Sequence, residues 1–262
     1  MSTTTLLTLS DAARLALQCL DLTSLNDNDS SADIETLCRR AQTPHGNVAA
    51  VCVWPRFVAQ ARAALPADVR VAAVANFPDG SADIARVRAE VAAIGEAGAQ
   101  EVDVVLPYRA LQQGQADEVA EFLQEVRYAA EALTLKVILE TGELREAGLI
   151  ADATRLCLAA GADFVKTSTG KTAQGASAAA ARTMLEVLKA SGISASGFKA
   201  SGGVRSVADA QIYIQLVSEI LGPQALGPRR LRLGASSLLD DIERVLGGAA
   251  APAATAGAAN TY

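Results

Sequence analysis

The sequence predicts a single α/β domain of the (β/α)8 barrel type, and three observations carry that expectation. Eight short runs rich in valine, isoleucine and leucine alternate with longer segments of helical spacing. Eight strand–helix repeats within 262 residues match the repeat number and length of the closed parallel barrel. Two approaches to strands share one pattern, Glu96-Ala97-Gly98-Ala99 and Ala159-Ala160-Gly161-Ala162, with glycine where a helix is expected to stop. An open, doubly wound sheet produces the same alternation. Against it, no Gly-x-Gly-x-x-Gly follows any of the strands, so the nucleotide-binding fingerprint of that fold is missing.

Taken in order, the first strand is expected at Leu17–Leu22 and the second at Val48–Val53, an apolar run containing Cys52. The third, Arg70–Ala75, is valine and alanine after its first residue. The fourth, Glu101–Leu106, holds Asp103 between apolar neighbours, and the fifth, Leu135–Glu140, opens on Leu135-Lys136. Asp163–Thr167 and Ser196–Ala200 each hold one lysine, Lys166 and Lys199, and Leu231–Ala235 is the eighth strand. Helical spacing is clearest over Ile84–Ile94, Glu118–Ala132, Ala178–Lys189 and Val207–Ile220. No composition shift divides residues 1–246, which are expected to form the catalytic barrel domain. Residues 247–262, rich in Ala, Gly and Pro, read as a flexible tail ending in Tyr262.

Composition narrows the function. The chain is half hydrophobic, one-fifth charged, and carries a net charge of −6, so a nucleic-acid partner is not expected. A single histidine, His45, argues against a catalytic zinc site built on imidazoles, and no metal is expected. His45 itself falls in the turn Thr43-Pro44-His45-Gly46 and reads as a surface residue. Trp54 and Pro55 close a strand and read as packing. The N-terminal stretch lacks the basic region of a signal peptide, and no window approaches the roughly 18 apolar residues of a membrane span, so no membrane partner is expected. Cys19, Cys38, Cys52 and Cys157 form no Cys-x-x-Cys pair and read as reduced thiols of a cytoplasmic protein, Cys52 being the candidate for reactivity.

The basic residues are lopsided. There are eighteen arginines and five lysines: Lys136, Lys166, Lys171, Lys189 and Lys199. Where arginine has replaced surface lysine, the remaining lysines are enriched at positions that need an amine able to lose its proton. Asp21, Asp103, Lys136, Lys166 and Lys199 all sit in or at the ends of expected strands, where a packed core would not choose a charge. Strand-end ion pairs explain any one of them; several together at one end of one barrel suggest a site. Neighbouring strands lie about 4.8 Å apart, so Lys166 and Lys199 approach closely if both point inward. Repulsion and desolvation then favour a neutral lysine, the nucleophile that forms a Schiff base with a carbonyl. Asp103 is placed to move protons.

A second group is shaped for phosphate. Gly202-Gly203-Val204-Arg205 follows the seventh strand and Gly234-Ala235-Ser236-Ser237 the eighth, the two loops that commonly bind phosphate in such barrels. Asp21, Cys52 and Lys136 on the strands, and Thr169, Gly170 and Lys171 after the sixth strand, count as further substrate contacts. Ser168-Thr169-Gly170-Lys171-Thr172 imitates the end of a P-loop, but Val165 stands where its first glycine is required.

These residues bring the whole chain to a known family. It resembles the deoxyribose-phosphate aldolases, which are class I (Schiff-base) aldolases. The resemblance rests on Asp21-Leu22-Thr23, Cys52-Val53-Trp54-Pro55-Arg56, Asn76-Phe77-Pro78, Glu101-Val102-Asp103-Val104-Val105, Glu140-Thr141-Gly142, Phe164-Val165-Lys166-Thr167-Ser168-Thr169-Gly170, Phe198-Lys199-Ala200-Ser201-Gly202-Gly203 and Arg232-Leu233-Gly234-Ala235-Ser236-Ser237. It implies that Lys166 forms the Schiff base, that Lys199 lowers its proton affinity, and that Asp103 acts with a water in proton transfer. It implies reversible cleavage of 2-deoxy-D-ribose 5-phosphate to D-glyceraldehyde 3-phosphate and acetaldehyde, without a metal or organic cofactor, in a homodimer. It also gives Tyr262 a task, since some members end in a tyrosine that assists proton transfer at the enamine carbon. From Leu246 the intervening chain reaches at most about 50 Å. Two rival readings stay open: a Schiff-base aldolase with a larger donor, and a non-catalytic barrel that binds sugar phosphates.

Overall fold

A strand that faces helices on one side and a barrel interior on the other has no solvent face, so it reads as an almost continuous buried run. That is the state of β1 (Leu20–Thr23), β2 (Ala50–Val53), β3 (Arg70–Ala75), β4 (Glu101–Val105), β5 (Thr134–Ile138), β6 (Phe164–Lys166), β7 (Gly197–Ser201) and β8 (Leu231–Ala235). In the computed structural model, which describes residues 7–248, they pair in parallel in chain order and β8 closes onto β1. The molecule is a (β/α)8 barrel, as the repeat count predicts. Residues 249–262, including Tyr262 and most of the expected tail, lie outside the described residues.

The local signals work as written. Gly98 and Gly161 both adopt left-handed backbone, with φ of 97° and 82°. Each ends its helix in the same way: the next residue's N–H reaches back five residues, Ala99 to the Ile94 carbonyl and Ala162 to the Cys157 carbonyl. Ser206 starts the helix Val207–Leu221 in a reciprocal box, its hydroxyl accepting from the Asp209 N–H while the Asp209 carboxylate accepts from the Ser206 and Arg205 N–H groups. This box fixes the end of the loop that leaves β7.

Three elements differ from expectation. Leu17 belongs to a helix, Leu9–Gln18, capped by Thr8, whose buried residues Ala12, Ala13, Ala16 and Leu17 form one helical stripe. The apolar run from Leu17 thus spans the end of that helix and the start of β1. β5 stops at Ile138, because Glu140 takes left-handed backbone with φ 55°. A two-residue antiparallel ribbon, Gln42–Thr43 with Gly46–Asn47, sets His45 on an exposed turn, as expected.

The interior of the barrel departs most from an ordinary core. One side is apolar, formed by Leu25, Cys52, Ala72 and Val74. Elsewhere six strands send charges inward: Asp21 from β1, Glu101 and Asp103 from β4, Lys136 from β5, Lys166 from β6, Lys199 from β7 and Arg232 from β8, all buried.

Candidate active site

Side chains on a strand alternate between faces, so Asp103 and Glu101 share one face of β4 and stack along the barrel axis. The register brings Asp103 opposite Lys136 on β5, and Lys166 of β6 opposite Lys199 of β7. Asp103 is where they converge. Its Oδ1 accepts from Lys136 Nζ, and its Oδ2 accepts from both Lys166 Nζ and Lys199 Nζ, each at 2.8 Å. Asp21 supports the group from β1: its Oδ2 accepts from Lys199 at 2.5 Å and lies 3.3 Å from Lys136 Nζ. Below them Glu101 meets Lys136 at 2.6 Å, and Arg232 donates to both Asp21 and Glu101.

Burial of a charge costs several kcal/mol unless it is matched, so the formal sum matters. Asp21, Glu101 and Asp103 supply three negative charges; Lys136, Lys199 and Arg232 supply three positive ones. The cluster balances when Lys166 is a neutral amine. Proton affinities follow that count. Burial pushes the Lys166 amine down, Asp103 opposes, and the neighbouring Lys199 ammonium pushes it further down; the net shift is downward. Lys199 and Lys136 go the other way. Burial alone would lower both, but Asp103 and Asp21 outweigh it, joined at Lys136 by Glu101. Burial would raise the Asp103 carboxyl, but Lys136, Lys166 and Lys199 hold it well below the usual carboxylate range. Burial is the largest cause of the Lys166 shift, and Lys199 adds to it in the same direction.

The middle of this column is sealed, and its two ends come nearest to solvent, Glu101 keeping 2% and Arg232 6% of its surface at the foot. Lys166 keeps 2% of its surface exposed, while Asp21, Asp103, Lys136 and Lys199 keep none. Lys136 and Asp21, expected as substrate contacts, are fully buried and bonded within the cluster, Lys136 to Asp103 and Asp21 to Lys199. Cys52 also faces the lysines, and burial pushes its thiol up to about 11, which removes the expected reactive thiolate near neutral pH.

Four residues beyond Lys166, at most about 13 Å of chain, Gly170 opens a second feature. Gly170, Gly202, Gly203, Arg205, Ser236 and Ser237 line one cavity of about 120 Å³. The backbone bends sharply there, with φ of 80° at Gly170 and 85° at both Gly202 and Gly203. Six of the residues expected to hold phosphate thus meet around one hollow, beside the start of the helix Leu238–Leu246. Three others do not. Gly234 lies inside β8 and outside the lining, and a Cβ there would come within 3.0 Å of Lys199 Cε. Thr169 gives its hydroxyl and its N–H to Glu140 and holds the loop in place. Lys171 lies outside the lining, its ammonium 3.8 Å from Asp27.

Sequence reasoning left out Glu140, Gly175, Glu101 and Arg232 as site residues. Glu140 is buried, and its carboxylate also accepts from Thr172, which lines the cavity. Burial raises its carboxyl above the ordinary value. Gly175 packs so close to the Gly202 carbonyl that a Cβ would sit 2.4 Å from it. A carboxylate at a strand end and a lone loop glycine were the available signals.

Comparison with known proteins gives consistent results. The family model described as DeoC/LacD family aldolase matches residues 15–242. A deoxyribose-phosphate aldolase of Agrobacterium fabrum is 48% identical over 242 residues, covering 91% of this chain and 93% of its own. A Coccidioides immitis structure, described as a candidate deoxyribose-phosphate aldolase, superposes with a TM-score of 0.79 at 32% identity, covering 89% of this chain and 86% of the other. The tetrameric deoxyribose phosphate aldolase of Aeropyrum pernix gives 0.72 at 27% identity, over 91% and 92% of the two chains.

Proposed function

The chain belongs to the DeoC/LacD aldolase family, and from that premise we propose that it is a class I aldolase that reversibly cleaves 2-deoxy-D-ribose 5-phosphate to D-glyceraldehyde 3-phosphate and acetaldehyde. The observation that carries this reading is Lys166: a buried amine with lowered proton affinity, set against Asp103 and Lys199 at the mouth of the barrel.

The neutral Lys166 amine attacks C1 of the open-chain sugar phosphate, and loss of water leaves a protonated imine. The products have two and three carbons, so the bond that breaks joins C2 to C3. The C3 hydroxyl gives up its proton through water to the Asp103 region, C3 becomes the aldehyde of the triose phosphate, and the electron pair passes to the enamine. A proton then adds at C2, and water hydrolyses the imine to release acetaldehyde and the amine. The steps balance on the amine and water, so the scheme calls on no metal or organic cofactor. The glycine-lined cavity holds the phosphate and fixes the distance from it to C1. Tyr262, outside the described residues, is assigned the proton transfer at C2 on the strength of the family resemblance.

The homodimer and the cytoplasmic location of this reading rest on the family resemblance and on the four cysteines, which are free and buried; among the described residues no helix is long and apolar enough to cross a membrane. Light scattering after size exclusion tests the dimer against the tetramer of the Aeropyrum relative. The decisive test of the chemistry is borohydride reduction in the presence of 2-deoxyribose 5-phosphate, followed by mass mapping. The expected adduct lies on Lys166 and vanishes in Lys166→Ala. An adduct that survives that substitution overturns the assignment.

A further inference from the structure

The floor of the barrel holds an ion pair that the reaction scheme does not use. Arg232 is nearly buried on β8; it donates to Asp21 Oδ1 at 2.6 Å and to Glu101 at 2.8 and 3.1 Å, and its guanidinium lies 5.5 Å from the Phe164 ring centre. Gly197 makes that stacking possible, since a Cβ there would meet the Phe164 ring at 2.4 Å. Glu101 passes the contact on to Lys136 at 2.6 Å, and Lys136 passes it to Asp103, which holds Lys166. An unbroken line of charged contacts therefore joins the floor to the amine at the mouth.

We propose that Arg232 and Glu101 are positioning residues for Lys166 that act through charge balance: with both present the buried cluster is neutral only if Lys166 is neutral. The inference rests on the reading of Lys166 as an amine nucleophile and extends it to two residues that touch no substrate. Removal of the Arg232 charge leaves three carboxylates facing two other cations, and a proton on Lys166 then restores the balance. Removal of the Glu101 charge does the reverse. The two members of one ion pair are therefore expected to move Lys166 in opposite directions, whereas a purely structural pair weakens the site in the same sense from either side.

The other titratable groups that face Lys166 are common to every variant. They are Asp103 from β4, Lys199 from β7, Cys52 from β2 and Glu140 beyond β5, while β3 presents the apolar Ala72 and Val74 on that side. Asp21, which links Lys199 to Arg232, is also retained.

The experiment measures Lys166 directly, by competitive acetic anhydride labelling across a pH series with peptide mapping, beside the pH profile of kcat/KM. Arg232→Gln is expected to move the Lys166 labelling midpoint and the acid limb of kcat/KM to higher pH by about half a unit or more. That shift is a roughly threefold or greater loss of neutral amine on the acid side. Glu101→Gln is expected to move both to lower pH. Arg232→Lys keeps the charge and the wild-type midpoint, and the Arg232→Gln, Glu101→Gln double variant returns towards it. If Arg232→Gln does not fold, the direction given by Glu101→Gln decides alone. Shifts of the same sign in the two single variants, or no shift, overturn the proposal. Labelling reports on Lys166 whatever the reaction, so a lost borohydride adduct with intact opposite shifts would reject the aldolase reading and leave this one standing.

Discussion

Lys166 and Lys199 are register partners on neighbouring strands and donate to the same oxygen of Asp103, each at 2.8 Å, yet their proton affinities move in opposite directions. The difference lies in Asp21. It takes a second hydrogen bond from Lys199 at 2.5 Å, while Lys166 has Asp103 alone. One hydrogen-bonded carboxylate fewer is what separates an amine of lowered proton affinity from a fixed cation.

Lys199→Met tests that division. The ammonium on Lys199 disfavours a second positive charge on Lys166, so its loss raises the Lys166 proton affinity. The acid limb of kcat/KM is expected to move to higher pH, with a loss of roughly tenfold or more near neutrality that shrinks as the pH rises. A pH–rate profile checks it, and a loss of equal size at every pH would contradict it.

Asp103→Asn keeps the shape and removes the charge that three lysines share. Left without it, the buried ammonium groups are uncompensated, a cost of about 3–5 kcal/mol in similar cases. Activity is expected to fall by about 10²-fold or more. The carboxyl is held below its unfolded value, so its contribution to wild-type stability is present above the ordinary carboxylate pKa and fades as the pH falls through the folded one. The gap between the two proteins in urea denaturation is therefore expected to be widest near neutral pH and to narrow in acid.

The sequence made some of this legible and hid the rest for physical reasons. Asp103, Lys166 and Lys199 stood out because each interrupts an apolar strand, and lysine is scarce here. Arg232 interrupts a strand too, but one arginine among eighteen carries no such contrast. The glycines show a second limit. Gly202 and Gly203 could be placed because two successive loops carried the pattern, whereas the close approach at Gly234 involves a lysine on the neighbouring strand and is set by register. Leu17 belongs to a helix although its apolar run continues into β1, because such a run does not mark where a helix ends and a strand begins. The charge balance of the interior belongs to seven residues on six strands, and only the closed barrel assembles it.

The thiols give a simple check on the interior. Burial is the first cause that raises Cys52, to about 11, and Cys157 is pushed higher still. Iodoacetamide at pH 8 is expected to leave both unmodified in the folded protein and to label all four cysteines after denaturation. Rapid labelling of Cys52 in the native state would show that the barrel mouth is open deeper than the structure has it.

The proposal that the glycine-lined cavity takes phosphate is tested by Gly202→Ala. Gly202 has φ 85°, and a Cβ there would lie 3.0 Å from the Gly175 Cα. Backbone strain of about 1–2 kcal/mol adds to that contact, and both fall on the cavity wall. The expected result is a KM for the phosphorylated sugar raised about tenfold, with little change towards 2-deoxyribose itself. Inorganic phosphate should inhibit the wild type competitively and the variant poorly. Equal losses on both sugars would remove the cavity from phosphate recognition.

Gly234→Ala separates positioning from binding. The added Cβ would lie 3.0 Å from Lys199 Cε and 3.2 Å from Ser201 Cβ and Oγ, closer than ordinary packing allows. Lys199 cannot yield freely, because its amine is tied to Asp21 and to Asp103. The strain is therefore expected to reach the geometry that Lys199 shares with Lys166, while the walls of the glycine-lined cavity, which do not include Gly234, stay as they are. A fall in kcat of about tenfold with KM within about twofold of wild type is the expected outcome in steady-state kinetics. A raised KM with kcat intact would return Gly234 to phosphate binding, the role its loop suggested from sequence.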